Sequence, residues 1–311
     1  MAVTFLSSVS KLPLLFSVKL RAPFSKLRLF MLSISTLDLV LFLTLALYLL
    51  YFSADMMLEY RHYLLSTMST FFCLTALFFP RLRRNGWLWF GLAVFLWIFI
   101  LKHWQFQDNH VYLWGYWILA LACCLWQKQA DTLIYKNARY LLGLTMLFAS
   151  IQKARAINYM NGNFFYFTFL TDGRFSFIGN LFRKNFYQIV HKNNALLSKM
   201  HDSLSPVQLL GGSPDLLVVA KIVTWFTFLI ELLLALSFLL PQQWRLARYR
   251  FYYFACFCGI YFLVPVKGFA AVLILMAMAQ LNKHQWAFKL LFLVLLLYIF
   301  WLSSFMLRFI H

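Results

Sequence analysis

Three polar side chains stand among apolar neighbours that cannot solvate them: His110, Lys153 and Glu231. Glu231 lies about fifteen residues into the apolar run 216–240. An ionisable group at such depth is costly, so it needs either a task or a partner. It reads equally as a functional carboxylate and as a structural one bonded to a neighbouring helix. His110 opens a second run in Asp108–Asn109–His110–Val111–Tyr112–Leu113, as a functional group or as an interfacial or capping residue. Lys153 closes a third run that begins at Arg139. A lysine there either snorkels to lipid headgroups or acts as a base. Together, a base, a histidine and a carboxylate around one amphipathic cleft would hold the polar head of a lipid-like molecule.

Other chemistry is not written in the chain. It contains no GxGxxG, Walker loop, HExxH or GxSxG pattern. Its seven histidines lack zinc-ligand spacing, and no metal is expected. After Lys153, the residues Arg155, Tyr159, Asn161 and Gly162 are placed to shape a turn, because glycine permits unusual backbone angles.

The elements that must position these residues follow from composition. Of 311 residues, 63% are hydrophobic and only 12% charged, against about 25% charged in an ordinary soluble domain. Runs such as 87–101 and 290–307 carry no acidic or basic side chain. Inside hydrocarbon the backbone must satisfy itself, as helices or as a closed barrel. A barrel needs alternating polarity, and these runs are apolar all round, so the expected fold is all-α: a polytopic transmembrane helical bundle. Breaks at charges, Pro and Gly give about eight to nine spans, near 33–53, 62–79, 86–101, 110–126, 139–152, 216–240, 249–265, 268–282 and 286–307. The division at Pro265–Lys267–Gly268 is the one whose removal would change the parity.

Charge then orients the bundle. The net charge is +19, but the basic residues cluster in short loops, the pattern of a membrane protein rather than of a nucleic-acid binder. One set of loops holds sixteen: Lys11, Lys19, Arg21, Lys26, Arg28, Arg81, Arg83, Arg84, Lys128, Lys136, Arg139, Arg245, Arg248, Arg250, Lys283 and Lys289. The other holds four: Arg61, Lys102, Lys267 and Arg308. The positive-inside bias puts the basic segment 1–32 in the cytoplasm, as in a protein of a bacterial inner membrane. The acidic residues Asp55, Glu59 and Asp108 then fall on the exported side. Membrane helices one to five (33–152) and six to nine (216–307) flank an exported region, 153–215, whose mixed aromatic and basic character suits helices lying on the bilayer. No cleaved signal peptide is expected from the basic N-terminus. The five cysteines, Cys73, Cys123, Cys124, Cys256 and Cys258, read as buried apolar packing. Consecutive antiparallel helices pack together, which would bring His110 and Lys153 to one exported rim with Glu231 beneath it.

At these residues the chain resembles the vitamin K-dependent γ-carboxylase-like, or horizontally transferred transmembrane (HTTM), family. Asn109–His110–x–Tyr112–Leu113 resembles the family's Asn-His-x-Tyr-Leu at a helix start. The span ending Ser150–Ile–Gln–Lys153, followed by Tyr159–Met–Asn–Gly162, is similar to its Lys-Leu-x-x-x-Trp-x-x-Gly segment. Run 217–240, with its internal Glu231, and Lys267–Gly268–Phe269 resemble the segments after it, so the likeness covers roughly 30–285. The resemblance implies a reduced isoprenoid (vitamin K-type) quinol as cofactor, Lys153 as the base that deprotonates it, and His110 as the partner histidine. It places Asn109, Tyr112, Tyr159 and Glu231 in the binding site. In the namesake enzyme, oxygenation of the quinol yields an epoxide and a strong base that removes a γ-proton from peptide glutamate before carbon dioxide adds.

The pattern also departs. Phe254–Ala255 stands where the family has Phe-His, the Lys-to-Gly spacing is one residue longer, and Tyr159 replaces tryptophan. With no large exported domain after the membrane part, glutamate carboxylation is not the expectation; quinol chemistry without it, or a member without catalysis, is. Two function classes follow: a quinol-dependent oxidoreductase or carboxylase-like enzyme, and a non-catalytic membrane partner in peptide maturation, export or immunity. The partners are the lipid bilayer, a quinol and a peptide substrate. A small-solute transporter is the weaker third, for want of an inverted repeat.

Overall fold

The computed structural model describes residues 22–53, 63–105, 107–200, 210–260 and 267–310. Lys11, Lys19, Arg21, Asp55, Glu59, Arg61, His201 and the break at Pro265 lie outside the described residues. The described chain is helical, with no strand in it. In chain order the helices are α1 (Ala22–Ser33), α2 (Thr36–Tyr48, run on by a π turn, Leu49–Ser53), α3 (Tyr63–Phe78), α4 (Pro80–Arg83), α5 (Gly86–Lys102), α6 (Asn109–Leu125), α7 (Ala130–Arg155) and α8 (Ile157–Met160). There follow α9 (Asn163–Thr171), α10 (Ser176–Asn180), α11 (Phe186–Met200), α12 (Pro214–Leu239), α13 (Arg245–Arg248), α14 (Arg250–Ile260), α15 (Lys267–Met278) and α16 (Trp286–Ile310).

Among the described residues one helix is long and apolar enough to cross a bilayer unaided: α12, with 26 residues. Residues 27–33 and 36–52 reach that length only as a pair, bent by 88° at Ile34–Ser35. The expected first span, 33–53, therefore starts at Thr36, where Ser35 caps α2 by accepting from the Asp38 amide. The apolar helices α3, α5 and α6 are shorter, as are the apolar stretches Gly268–Met278 of α15 and Trp286–Trp301 of α16. The span expected over 139–152 is a 26-residue helix beginning at Ala130. Lys136 and Arg139, assigned to a loop from their charge, are helical instead.

A single large core runs through the bundle, from α2 through α5, α6 and α7 to α15 and α16, filled by Trp89, Trp114, Trp117, Phe238, Phe254 and Phe292. Helices α7 and α12 pack along one another. Arg139 of α7 binds the end of α12, Nε donating to Phe238 O at 2.6 Å and Nη2 to Leu240 O. A cation there satisfies C-terminal carbonyls that have no intrahelical donor. Apolar side chains also face outward. On α12 Val218, Ile222, Trp225, Phe226 and Leu229 are exposed, at helical spacing on one side. Cys123 and Cys256, expected to be buried, stand on such outward faces, while Cys73, Cys124 and Cys258 are buried; all are free thiols.

Residues 157–200 form a compact helical unit with its own small core. Phe169, Phe175, Phe186 and Val190 close over Leu216 and Ala220 at the start of α12. Asn193 is its polar pin: fully buried, its amide donates to Leu170 O at 2.8 Å and Leu210 O at 3.0 Å, and its oxygen accepts from Leu210 N at 2.7 Å. Between α9 and α10, Arg174 pairs with Asp172, which holds the Arg174 guanidinium above its ordinary pKa. Gly162 takes φ +83° at the turn into α9, and a Cβ there would meet Lys221.

Candidate functional site

The site is built on three helices whose residues recur every three or four positions, so that each presents one face. On α6 that face carries His110, Leu113 and Tyr116; on α7 it carries Thr145, Ala149 and Lys153. On α12 Thr227 and Glu231 stand one turn apart. His110, Lys153 and Glu231 line one cavity of about 590 Å³ between these helices. That volume falls within the ~300–1,000 Å³ of small-molecule sites. The rings of Tyr112, Tyr116, Phe148 and Phe269 form its apolar walls. Phe148 is 63% exposed and Tyr116 52%, so the cavity opens through the side of the bundle between outward-facing rings.

At its polar end, Lys153 Nζ donates to Glu231 Oε1 in an ion pair. The two side chains are only 22% and 11% exposed, so each charge depends on the other. The Lys153 ammonium also sits 5.2 Å from the Tyr159 ring centroid, a cation–π contact. Tyr159 and Thr227 share a hydroxyl–hydroxyl hydrogen bond of 2.8 Å, which ties the turn after α7 to α12. Burial pushes the Tyr159 phenol above its ordinary pKa, against the opposing pull of Lys153. Glu231 Oε2 is buried without a hydrogen-bond partner among the described residues. A buried acceptor in that state costs about 1–3 kcal/mol, which a donor entering the cavity would recover.

His110 comes from the first turn of α6, with Asp108 Oδ2 3.7 Å from its Nδ1. Its ring lies against Gly268 so closely that any Cβ at that position would overlap it. The Trp114 indole donates to Gly268 O at 3.1 Å and locks the start of α15 beside α6. We expect Gly268→Ala to displace the His110 ring and to destabilise the fold by about 1–3 kcal/mol, as overpacking does. Gly259→Ala, at a helical position with nothing within 4 Å, is the control and should be neutral or slightly stabilising. Equal thermal stability of the two variants would show that the His110–Gly268 contact is loose.

No family model, no curated protein and no solved structure matches the chain.

The structure brings some of the singled-out residues together and separates others. His110, Lys153 and Glu231 share the cavity, with Asn109 and Tyr112 at its edge. Asp108 occupies the N-cap of α6, so Asn109 is its first helical residue and is exposed. Tyr112 turns its hydroxyl to Trp104 O at 3.0 Å and offers only its ring. Tyr159 supports Lys153 from outside the cavity lining. Ala255, where the resembled family carries histidine, packs on the apolar core. Thr227 and Gly268 were not singled out for the site from sequence. Thr227 was legible in principle as the residue one turn before Glu231, while Gly268 carries no local sign of the ring it faces. Among the described residues no group of three or more His, Cys, Asp or Glu side chains could hold a metal.

Proposed function

We propose that this chain is a polytopic membrane protein whose cavity receives the head of an amphipathic, ring-bearing molecule from the bilayer and removes a proton from it. The observation that carries this reading is the placement of His110, Lys153 and Glu231 around one laterally open, aromatic-walled cavity. Polytopic insertion is supported by the wide belt of exposed large apolar side chains, Leu64, Phe71, Phe78, Trp87, Ile222 and Leu297 among them. Patches of that extent in water would drive association. Helices shorter than about 20 residues then complete their crossing with flanking turns or tilt.

A reduced isoprenoid quinol, the molecule implied by the resemblance to the γ-carboxylase-like family, fits this lining. Its hydroxyls would meet Lys153, Glu231 and His110, its ring would stack among Tyr112, Phe148 and Phe269, and its tail would leave toward lipid. Lys153 becomes the proton acceptor once its own proton has passed to Glu231, giving the neutral form of the pair. That form escapes the cost of keeping two ions in a dry site. The purified chain, given a reduced menaquinone-type quinol and oxygen, should yield the epoxide by mass spectrometry; an inert wild type across several quinols would remove the enzymatic reading.

One observation favours a second reading, a non-catalytic partner in peptide maturation, export or immunity. The Lys153–Glu231 pair compensates itself, as a purely structural pair would. Stability without quinol binding or turnover would select it.

The orientation we propose places residues 153–215 on the exported side and the N-terminus in the cytoplasm. Single cysteines at Ser176 and Ser33, in a chain with its five native cysteines replaced, report it in intact cells. A membrane-impermeant maleimide should label position 176 and spare position 33. The reverse pattern would invert the bundle and move the site off the exported face.

A further inference from the structure

A second cavity, of about 650 Å³, opens at the other end of α7, between the α1–α2 elbow, the first turns of α7 and the α15–α16 connection. Its distance from the candidate site follows from α7 itself. Tyr135 lines this cavity and Lys153 the other, and 18 residues at 1.5 Å each put about 27 Å between them. A hydrocarbon core is about 30 Å thick, so the two cavities sit at opposite faces of the bundle.

Lys289, in the first turn of α16, lines this cavity and is fully buried. Its ammonium has three donors, and among the described residues the one hydrogen bond it makes is to Ile34 O at 3.5 Å, at the outer limit of such a bond. Among the described residues no carboxylate lies within 4 Å of it. A buried cation without a counter-ion is costly, and arrangements of this kind persist where something anionic completes them. The same wall carries the start of α2. Ser35 caps that helix through the Asp38 amide, and the amides of Thr36 and Leu37 at the helix start have no intrahelical acceptor. Amides and the positive end of the helix dipole there favour an anion. Ser33, Ser35 and Asn282 add neutral donors, and Lys283 adds a second cation at the rim.

The acidic groups nearby do not fill this role. Asp131 lies on the wall but is exposed, at the start of α7. Asp38 is taken by Arg84, which grips both of its oxygens at 2.9 and 2.8 Å. Two lysines and a helix start against one exposed carboxylate leave the cavity positive.

We propose that this cavity is a binding site for a phosphate group, with Lys289 as its buried counter-charge and the start of α2 as its amide cradle. The group is carried by a phospholipid headgroup or by a free phosphate. A position at the membrane face, open on one side, admits both. The site is independent of the quinol reading, since no residue lines both cavities.

The full chain, purified in a neutral detergent, is titrated with inorganic phosphate at constant ionic strength, with chloride as the reference. It is also titrated with short-chain phosphatidic acid, with phosphatidylcholine as the lipid reference. Thermal unfolding is the readout. At least one phosphate source should raise Tm saturably. Phosphate alone sufficing would identify a soluble ligand; phosphatidic acid alone acting would identify a headgroup. Lys289→Met, which keeps length and apolar contact, should bind roughly tenfold or more weakly, the loss of one charge-assisted hydrogen bond. Lys283→Glu, at an exposed rim position that leaves folding intact, should weaken binding in the same direction. No saturable response from the wild type, or full binding by both variants, would overturn the proposal.

Discussion

Glu231→Leu alone should destabilise the protein by about 3–5 kcal/mol, and adding Lys153→Met should restore most of that loss. The single change removes the carboxylate that compensates Lys153 and leaves an ammonium only 22% exposed with no acidic partner. The reverse single change, Lys153→Met, strands Glu231, whose Oε2 already lacks a donor. Removing both charges together takes away two desolvation penalties along with their attraction, which leaves a packed apolar contact between α7 and α12. Unfolding in mixed micelles by SDS titration gives the four free energies of the cycle. A coupling near zero would mean that the two groups do not sense each other and that the pair does not exist in solution. Strong coupling in a folded double variant supplies a scaffold on which loss of function is no longer confused with loss of fold.

The helices were legible because apolar runs over 87–101 or 216–240 admit little else; their starts were not, and the structure sets them with the capping side chains of Asn85 and Ser213, as it sets the start of α2 with Ser35. Boundaries failed where charge was taken as a sign of loop. Arg139 and Lys136 sit inside α7, where the Arg139 guanidinium reaches the carbonyls at the end of α12. Lys289, counted among loop charges, is fully buried against the α1–α2 elbow, a bend of 88° that no local pattern announced. Within 153–215, where the mixed composition suggested helices lying on the bilayer, Asn193 is fully buried and makes three hydrogen bonds to the backbone.

The same division holds at the site. His110, Lys153 and Glu231 were visible because polar groups in apolar runs invite a question about each. Their convergence followed from antiparallel neighbours, but the direct Lys153–Glu231 pair did not. Depth along separate helices is not written in spacing, and the lysine stem is long enough to reach down to an acid placed below the rim. Gly268 beside His110, and the bond of Tyr159 to Thr227, depend on contacts between segments far apart in the chain.

Lys153→Arg carries the second large effect. Arginine keeps the charge, so the pair with Glu231 and the fold should survive. It cannot shed its proton in a protein, so proton abstraction should fall by roughly 10²–10⁴-fold, the usual contribution of a positioned acid–base group. A snorkelling or purely structural lysine would lose nothing by the exchange. The wild type and folded Lys153→Arg are therefore compared with a reduced menaquinone-type quinol under oxygen, with epoxide counted by mass spectrometry. The account predicts epoxide from the wild type and at least a hundredfold less from Lys153→Arg at equal thermal stability. Equal product from the two, or none from the wild type with any quinol, would contradict it.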